Sequence, residues 1–290
     1  MSGLIAIEIT KIIHRRLNQI VLAVTYALLV VVYVLLWMTS DVMGEIGIAS
    51  GTAIQLRSTL YLQETVPFAI LMLYSAGFTA GVVVIGSNVG SEYGWNTVRT
   101  LTSVEPRRWR VLLAKLVALW GVIVIALFVG LLIMLATSAA ITLMAGELDL
   151  SFVDAEYVKD SMFSFLRMLT ATAPYFGLAI LLAIIGKSAT AGIALSFGVA
   201  FLEGIVSGLM SLAGGWVAKI PPYLLDANGD TLGVANGGQL EAAFGGQSAL
   251  GQAFNRPSLT HAVIVILCWA AVFLAGSFWA FWHQDLEYQG

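Results

Sequence analysis

The sequence predicts an all-α, polytopic membrane protein with six transmembrane helices. Three observations carry that expectation. Over 290 residues the chain is 59% hydrophobic and only 11% charged, where a soluble domain carries about 25% charged residues. Its apolar residues gather into six long runs separated by polar segments, and the mean hydropathy is +0.90. The runs also lack the period-two alternation of barrel strands. Only helices and closed barrels satisfy every backbone polar group in lipid, so the runs read as helices.

Crossing the hydrocarbon core takes about 20 apolar residues, which places the spans at about 17–38, 67–88, 112–144, 168–186, 190–212 and 261–282. The first run is too long for a signal-peptide core and lacks a small-residue cleavage site, so it is expected to stay as an anchor. The third exceeds what a bilayer requires and should tilt or project. The fourth carries the weakest signal, because Pro174 and Gly177 interrupt it. Together the spans form one domain, 1–290.

Orientation follows from Lys and Arg, which accumulate in cytoplasmic loops. One side collects nine: Lys11, Arg15, Arg16, Arg99, Arg107, Arg108, Arg110, Lys115 and Lys187. The other collects five, namely Arg57, Lys159, Arg167, Lys219 and Arg256, spread over longer loops. Most carboxylates fall on that second side. Both termini are therefore expected inside, and the lack of an N-glycosylation sequon fits a cell membrane of bacterial type.

Outside the spans, residues 1–16 alternate isoleucines with Glu8, Lys11, His14, Arg15 and Arg16. A helix there has an apolar and a basic side and could lie along the inner membrane surface; an ordinary positive flank to the first span is the equal alternative. Residues 150–167 suggest a second amphipathic helix, on the outer face. The outer segment 213–260 is glycine-rich and too long for a turn, so short or re-entrant helices with irregular loop are expected. Gly77 with Gly81, Gly86 with Gly90, and Gly204 with Gly208 stand at helical spacing, which permits close helix approach. Within one chain that is the ordinary use, and a dimer seam is the other.

Enzyme chemistry finds little support. His14, His261 and His283 sit near span ends, far apart, and no His-Glu-x-x-His occurs, so neither a metal site nor a zinc protease is expected. Gly186-Lys187-Ser188 resembles the end of a phosphate loop, but Leu181 stands where that loop needs its first glycine; a tight inner turn fits better. Cys268, the single cysteine, lies in the last span. No cofactor is expected on the chain, and nothing points to nucleic acid. Glu203 is the carboxylate well inside a span. Such groups face the protein interior or a wet cavity, which leaves a cation or proton site and a hydrogen-bonded structural acid both open.

The most specific feature is the cytoplasmic insert 89–110, which a short helix across the membrane face would use to present Glu92, Tyr93, Trp95 and Arg99; an interfacial loop with aromatics at headgroup level and arginines following the positive-inside bias is the other reading. The stretch Ser91-Glu92-Tyr93-Gly94-Trp95-Asn96-Thr97-Val98-Arg99-Thr100-Leu101, followed by Pro106-Arg107-Arg108-Trp109-Arg110 and Lys115, resembles bacterial ABC-2 type transporter permeases. Glu92, Gly94, Thr97, Leu101, Pro106, Arg108 and Lys115 take the places of that family's acidic, glycine, threonine, leucine, proline, arginine and lysine positions. Asn96 departs from it, standing where a glycine is usual.

The resemblance implies a permease subunit of an ATP-driven exporter. It implies two six-span copies, identical or closely related, working with two copies of an ATP-binding subunit that supplies ATP and magnesium. Residues 89–110 would then be the coupling element, with Glu92, Tyr93, Gly94, Trp95, Thr97, Arg99 and Arg108 at the ATPase and Lys187 in a second, shorter contact. The alternative is a proton- or cation-coupled secondary transporter or channel using Glu203; an accessory protein without transport is a third class. The substrate is not legible.

Overall fold

A computed structural model describes residues 1–45, 57–95, 107–146, 149–236 and 257–284. Among these the chain is helical, without strands. We number the helices α1 (Ser2–His14), α2 (Arg16–Glu45), α3 (Thr65–Gly94), α4 (Arg108–Met144), α5 (Ala155–Ile185), α6 (Ala189–Ala213), α7 (Leu225–Val234) and α8 (Leu259–Trp282). Two short 3-10 turns, Val217–Lys219 and Pro221–Tyr223, precede α7. Six helices, α2 to α6 and α8, are long and apolar enough to cross a membrane.

The spans differ from their sequence-based bounds in instructive ways. α3 continues through Gly94, so residues 89–94 extend the second span instead of forming a separate surface helix. The segment expected as an outer amphipathic helix is the first half of α5, one unbroken helix to Ile185. Pro174 does not break it: it lies buried inside the helix, as proline can where packed neighbours surround the freed backbone. The span with the weakest signal is in fact the central one. The apolar window of α5 is 72% buried inside the protein, against 11% for α2. Protein contacts replace lipid around α5, so its sequence tolerates small and polar residues.

Close packing explains the glycines. Gly177 of α5 faces Phe273 of α8, where an added Cβ would stand 3.2 Å from that side chain. Gly86 faces Ile193 of α6, and Gly90 lies against the backbone of Ser188 and Ala189. Gly77 and Gly81 receive Leu127 and Phe176. Both pairs on α3 therefore serve packing within the chain, while an added Cβ at Gly208 would meet open space.

Local chemistry sets the helix ends. Asp154 caps α5 by accepting from Tyr157 N at 2.7 Å, Ser188 caps α6 through Thr190 N at 3.2 Å, and Ser258 caps α8 through His261 N at 3.3 Å; each satisfies an otherwise orphaned amide. Arg15 breaks α1 from α2 with an extended backbone, φ −72° and ψ 117°. Carbonyls freed at that break are taken up by Asn18, which donates to Ile12 O at 2.8 Å, and Gln19, which donates to Ile13 O at 2.9 Å. At the opposite end, the carbonyl of Leu60 accepts from Tyr33 at 2.9 Å and Ser138 at 2.7 Å. That ties the α2–α3 connection to two spans.

Candidate functional site

Two polar assemblies stand out from the apolar bundle, one at each end. The first lies at the basic end, where α1, the C-terminal turn of α3 and the N-terminal part of α4 meet. Lys11 Nζ stands 2.7 Å from Glu8 Oε1 and 3.1 Å from Glu92 Oε1. Lys115 Nζ stands 2.9 Å from Glu8 Oε2 and 2.5 Å from Glu92 Oε1. Two acids thus alternate with two ammonium groups. The side chains of Glu8, Glu92 and Lys115 are each at most 10% exposed, whereas Lys11 is 43% exposed.

Charges in such a place need partners, because desolvating them is costly. Burial raises the Glu8 carboxyl, but the charge of Lys115 and hydrogen bonds from Lys11 and Lys115 outweigh it and hold the group below its ordinary value. Burial likewise lowers Lys11, and Glu8 with Glu92 more than restores it, so its ammonium is held above its ordinary value. A neutral rung lies beside the charges. Asn88 donates to Asn18 Oδ1 at 3.0 Å, joining α3 to the α1–α2 elbow.

Arg15 adds a further tie, donating to Ser87 O and Ser91 Oγ, both at 2.9 Å. Its guanidinium lies 5.2 Å from the ring centroid of Trp95, a cation–π distance. Trp95 is 66% exposed, a large aromatic presented at this end and steadied from behind by arginine.

The residues expected to face a docking partner therefore separate. Glu92 points into the ion network, and Tyr93 packs against the core beside a small cleft lined by Val89, Ile184 and Phe281. The expected surface display of Glu92 and Tyr93 gives way because α3 stays helical to Gly94 and turns both side chains inward. Trp95 remains at the surface, just after Gly94. Arg108 supplies the first residue of α4; Thr97, Arg99 and Pro106 lie outside the described residues. Lys187 occupies the tight α5–α6 turn with φ of 47°, exposed at the same end. Gly90 packs on the adjoining Ser188 and Ala189, so this turn and the root of the insert are neighbours.

The second assembly surrounds α7. Glu203 of α6 accepts from the backbone N–H of Leu225, and from that of Asp226 at 3.4 Å. Its carboxylate thus caps the N-terminus of α7, where the helix dipole favours negative charge. Tyr175 lies beside the same carboxylate. At the other end of α7, Arg167 of α5 donates to Ala235 O at 3.0 Å and to Asn236 Oδ1 at 3.3 Å. A cation there matches the dipole's negative end. Trp269 of α8 donates to Tyr223 O at 2.9 Å, and His261 Nε2 stands 2.9 Å from Pro222 O. Burial pushes the Asp226 carboxyl above its ordinary value. This bracket went unseen in the sequence, where Glu203 and Arg167 are unrelated residues on different spans.

Among the described residues no group of three or more His, Cys, Asp or Glu is arranged to hold a metal ion. No protein-family model, curated protein or solved structure matches the chain.

Proposed function

We propose that this chain is the membrane-spanning permease subunit of an ATP-driven exporter, moving a substrate outward by coupling to a separate ATP-binding subunit. In this reading the basic end faces the cytoplasm of a bacterial-type cell membrane. The chain itself transmits movement, while ATP and magnesium belong to the partner ATPase, present in two copies. A second six-span copy, identical or closely related, completes the path.

The observation that carries the reading is the meeting of two exposed elements at one end of the bundle. Trp95, at the root of the insert whose sequence resembles ABC-2 type permeases, is presented to solvent, and the Lys187 turn adjoins the same helix end at Gly90. A partner seated on both would bear on α3, α5 and α6 together. Arginine and tryptophan are favoured anchors at protein interfaces, and Arg15 and Trp95 stand stacked there. Proposed contacts are therefore Trp95, Thr97, Arg99, Arg108 and Lys187, with Glu92, Tyr93 and Gly94 shaping the support beneath them.

The environment of Glu203 bears on the rival reading. A proton- or cation-coupled transporter needs that carboxylate as its coupling group, whereas here one of its oxygens is committed to the amides that begin α7. A structural duty accounts for that oxygen without transport chemistry, while the other, Oε2, is buried without a hydrogen-bond partner among the described residues. The test is co-purification: Trp95→Ala combined with Lys187→Glu should release an ATP-binding subunit that follows the tagged wild-type chain in mild detergent. Retention of that subunit at wild-type stoichiometry refutes the assignment of this surface.

A further inference from the structure

Among the described residues buried charge is scarce, and four charged side chains from three helices converge at one point. Glu8 and Lys11 come from α1, Glu92 from the last turn of α3 and Lys115 from α4. Each carboxylate touches both ammonium groups. Glu8 and Lys115 are 107 residues apart in the chain, and Lys11 and Glu92 are 81 apart. No local helix pairing would bring them together. The amphipathic pattern of residues 1–16 predicts a helix with an apolar and a basic side; in the fold that helix turns Glu8 and Ile12 toward the bundle, both buried.

We propose that this network is a transmission latch, fastening α1 to the roots of α3 and α4 so that movement of the segment following Glu92 is carried into α1 as one body. Its partner-driven role rests on the exporter reading; the fastening itself does not. Several features suit a latch. Glu92 lies three residues before Trp95, the exposed root of the insert. A push there reaches Lys115 and Lys11 within one side chain's length. The neutral rung of Asn18 and Asn88 holds the elbow next to it, and Arg15 ties the same elbow to Ser87 and Ser91. Salt-bridge networks of this kind add geometric specificity, since wrong registers place like charges together.

The test uses the full-length chain in lipid nanodiscs, with and without its co-purifying ATPase. In Lys115→Met, both carboxylates lose the buried ammonium that bridges them, and amide exchange across residues 2–14 should accelerate roughly tenfold or more. The fourfold reversal Glu8→Lys, Lys11→Glu, Glu92→Lys and Lys115→Glu restores the alternation among the four; made in an Arg15→Gln background, because Arg15 lies within electrostatic reach of position 92, it should return protection to near the level of Arg15→Gln alone. Exchange across α5 reports whether the bundle is intact in both variants. Wild-type protection of α1 in Lys115→Met overturns the latch, as does failure of the reversal to recover protection while α5 remains protected. If Lys115→Met does not fold, the reversal alone decides by the same criterion. A spin-label distance from α1 to α5, measured with the ATPase with and without ATP, tests transmission. It should change with nucleotide in wild type and not in Lys115→Met. An equal change in both overturns the latch; the absence of any bound ATPase in wild type overturns the exporter reading and leaves the exchange experiment to judge the fastening.

Discussion

Replacing Glu203 separates its capping duty from any transport duty. In Glu203→Ala the backbone N–H of Leu225 loses its acceptor outright, and that of Asp226 loses a long contact of 3.4 Å. A buried donor left without a partner costs about 1–3 kcal/mol, although hydrogen bonds within membranes average nearer ~0.6 kcal/mol. Loss of the charge at the helix N-terminus adds about 0.3–1 kcal/mol. Local destabilisation of α7 should then be about 1–4 kcal/mol, which accelerates amide exchange over residues 225–234 by roughly 5- to 900-fold. Glu203→Gln keeps a carbonyl acceptor and loses only the charge, so its acceleration should be roughly two- to fivefold. Hydrogen exchange with peptide resolution reads both variants, with α5 as the internal reference. Unchanged exchange in Glu203→Ala would show that α7 does not depend on this carboxylate, and equal effects of both variants would remove the acceptor from the explanation.

Other expectations follow from single contacts. Lys187 sits at φ 47°, a left-handed conformation that costs a non-glycine residue about 1–2 kcal/mol; Lys187→Gly should therefore raise the thermal midpoint of the purified chain while weakening retention of an ATPase. A lowered midpoint would contradict the backbone argument. Gly90→Ala drives a methyl into the backbone of Ser188 and Ala189, where overpacking costs about 1–3 kcal/mol; thermal unfolding monitored by tryptophan fluorescence should show the loss, and an unchanged midpoint would argue against that close approach. For pH, Glu8 is held below its ordinary value, so its share of α1 docking is complete above the ordinary glutamate range and fades as pH falls through the lowered one. Lys11 is held above its ordinary value, so its share is complete below the ordinary lysine range and fades as pH rises through the raised one. The distance from α1 to α5, read by spin labels, should stay constant between about pH 5 and 9 and lengthen only beyond; a transition near neutrality would contradict this.

Six runs of apolar residues were enough to place six spans, because lipid imposes one requirement on every helix it surrounds. Where protein replaces lipid, the pattern was harder to read. Pro174 and Gly177 weakened the signal of α5, yet they belong to the helix most enclosed by its neighbours, and Gly177 is what lets Phe273 approach. The insert gave its sequence away more readily than its geometry: helix α3 runs six residues past the expected span end at residue 88, turning Glu92 and Tyr93 inward and leaving Trp95 at the surface. The ion network escaped notice because its members are separated by 81 and 107 residues. A hint was present in Lys115, a cation entering an apolar run, since such a charge requires a counter-charge. Glu203 was legible as an unusual acid, but its duty depends on α7 folding back against α6, which no local pattern announces.

Reconstitution into sealed proteoliposomes tests the central claim most directly, with the chain alone in one set and the chain with the proposed ATP-binding partner in the other. Substrates drawn from a panel of lipids, amphipathic drugs and peptides should be exported only in the second set, and only with ATP and magnesium. Movement of solute by the chain alone, driven by a proton or cation gradient and abolished in Glu203→Gln, would contradict the account.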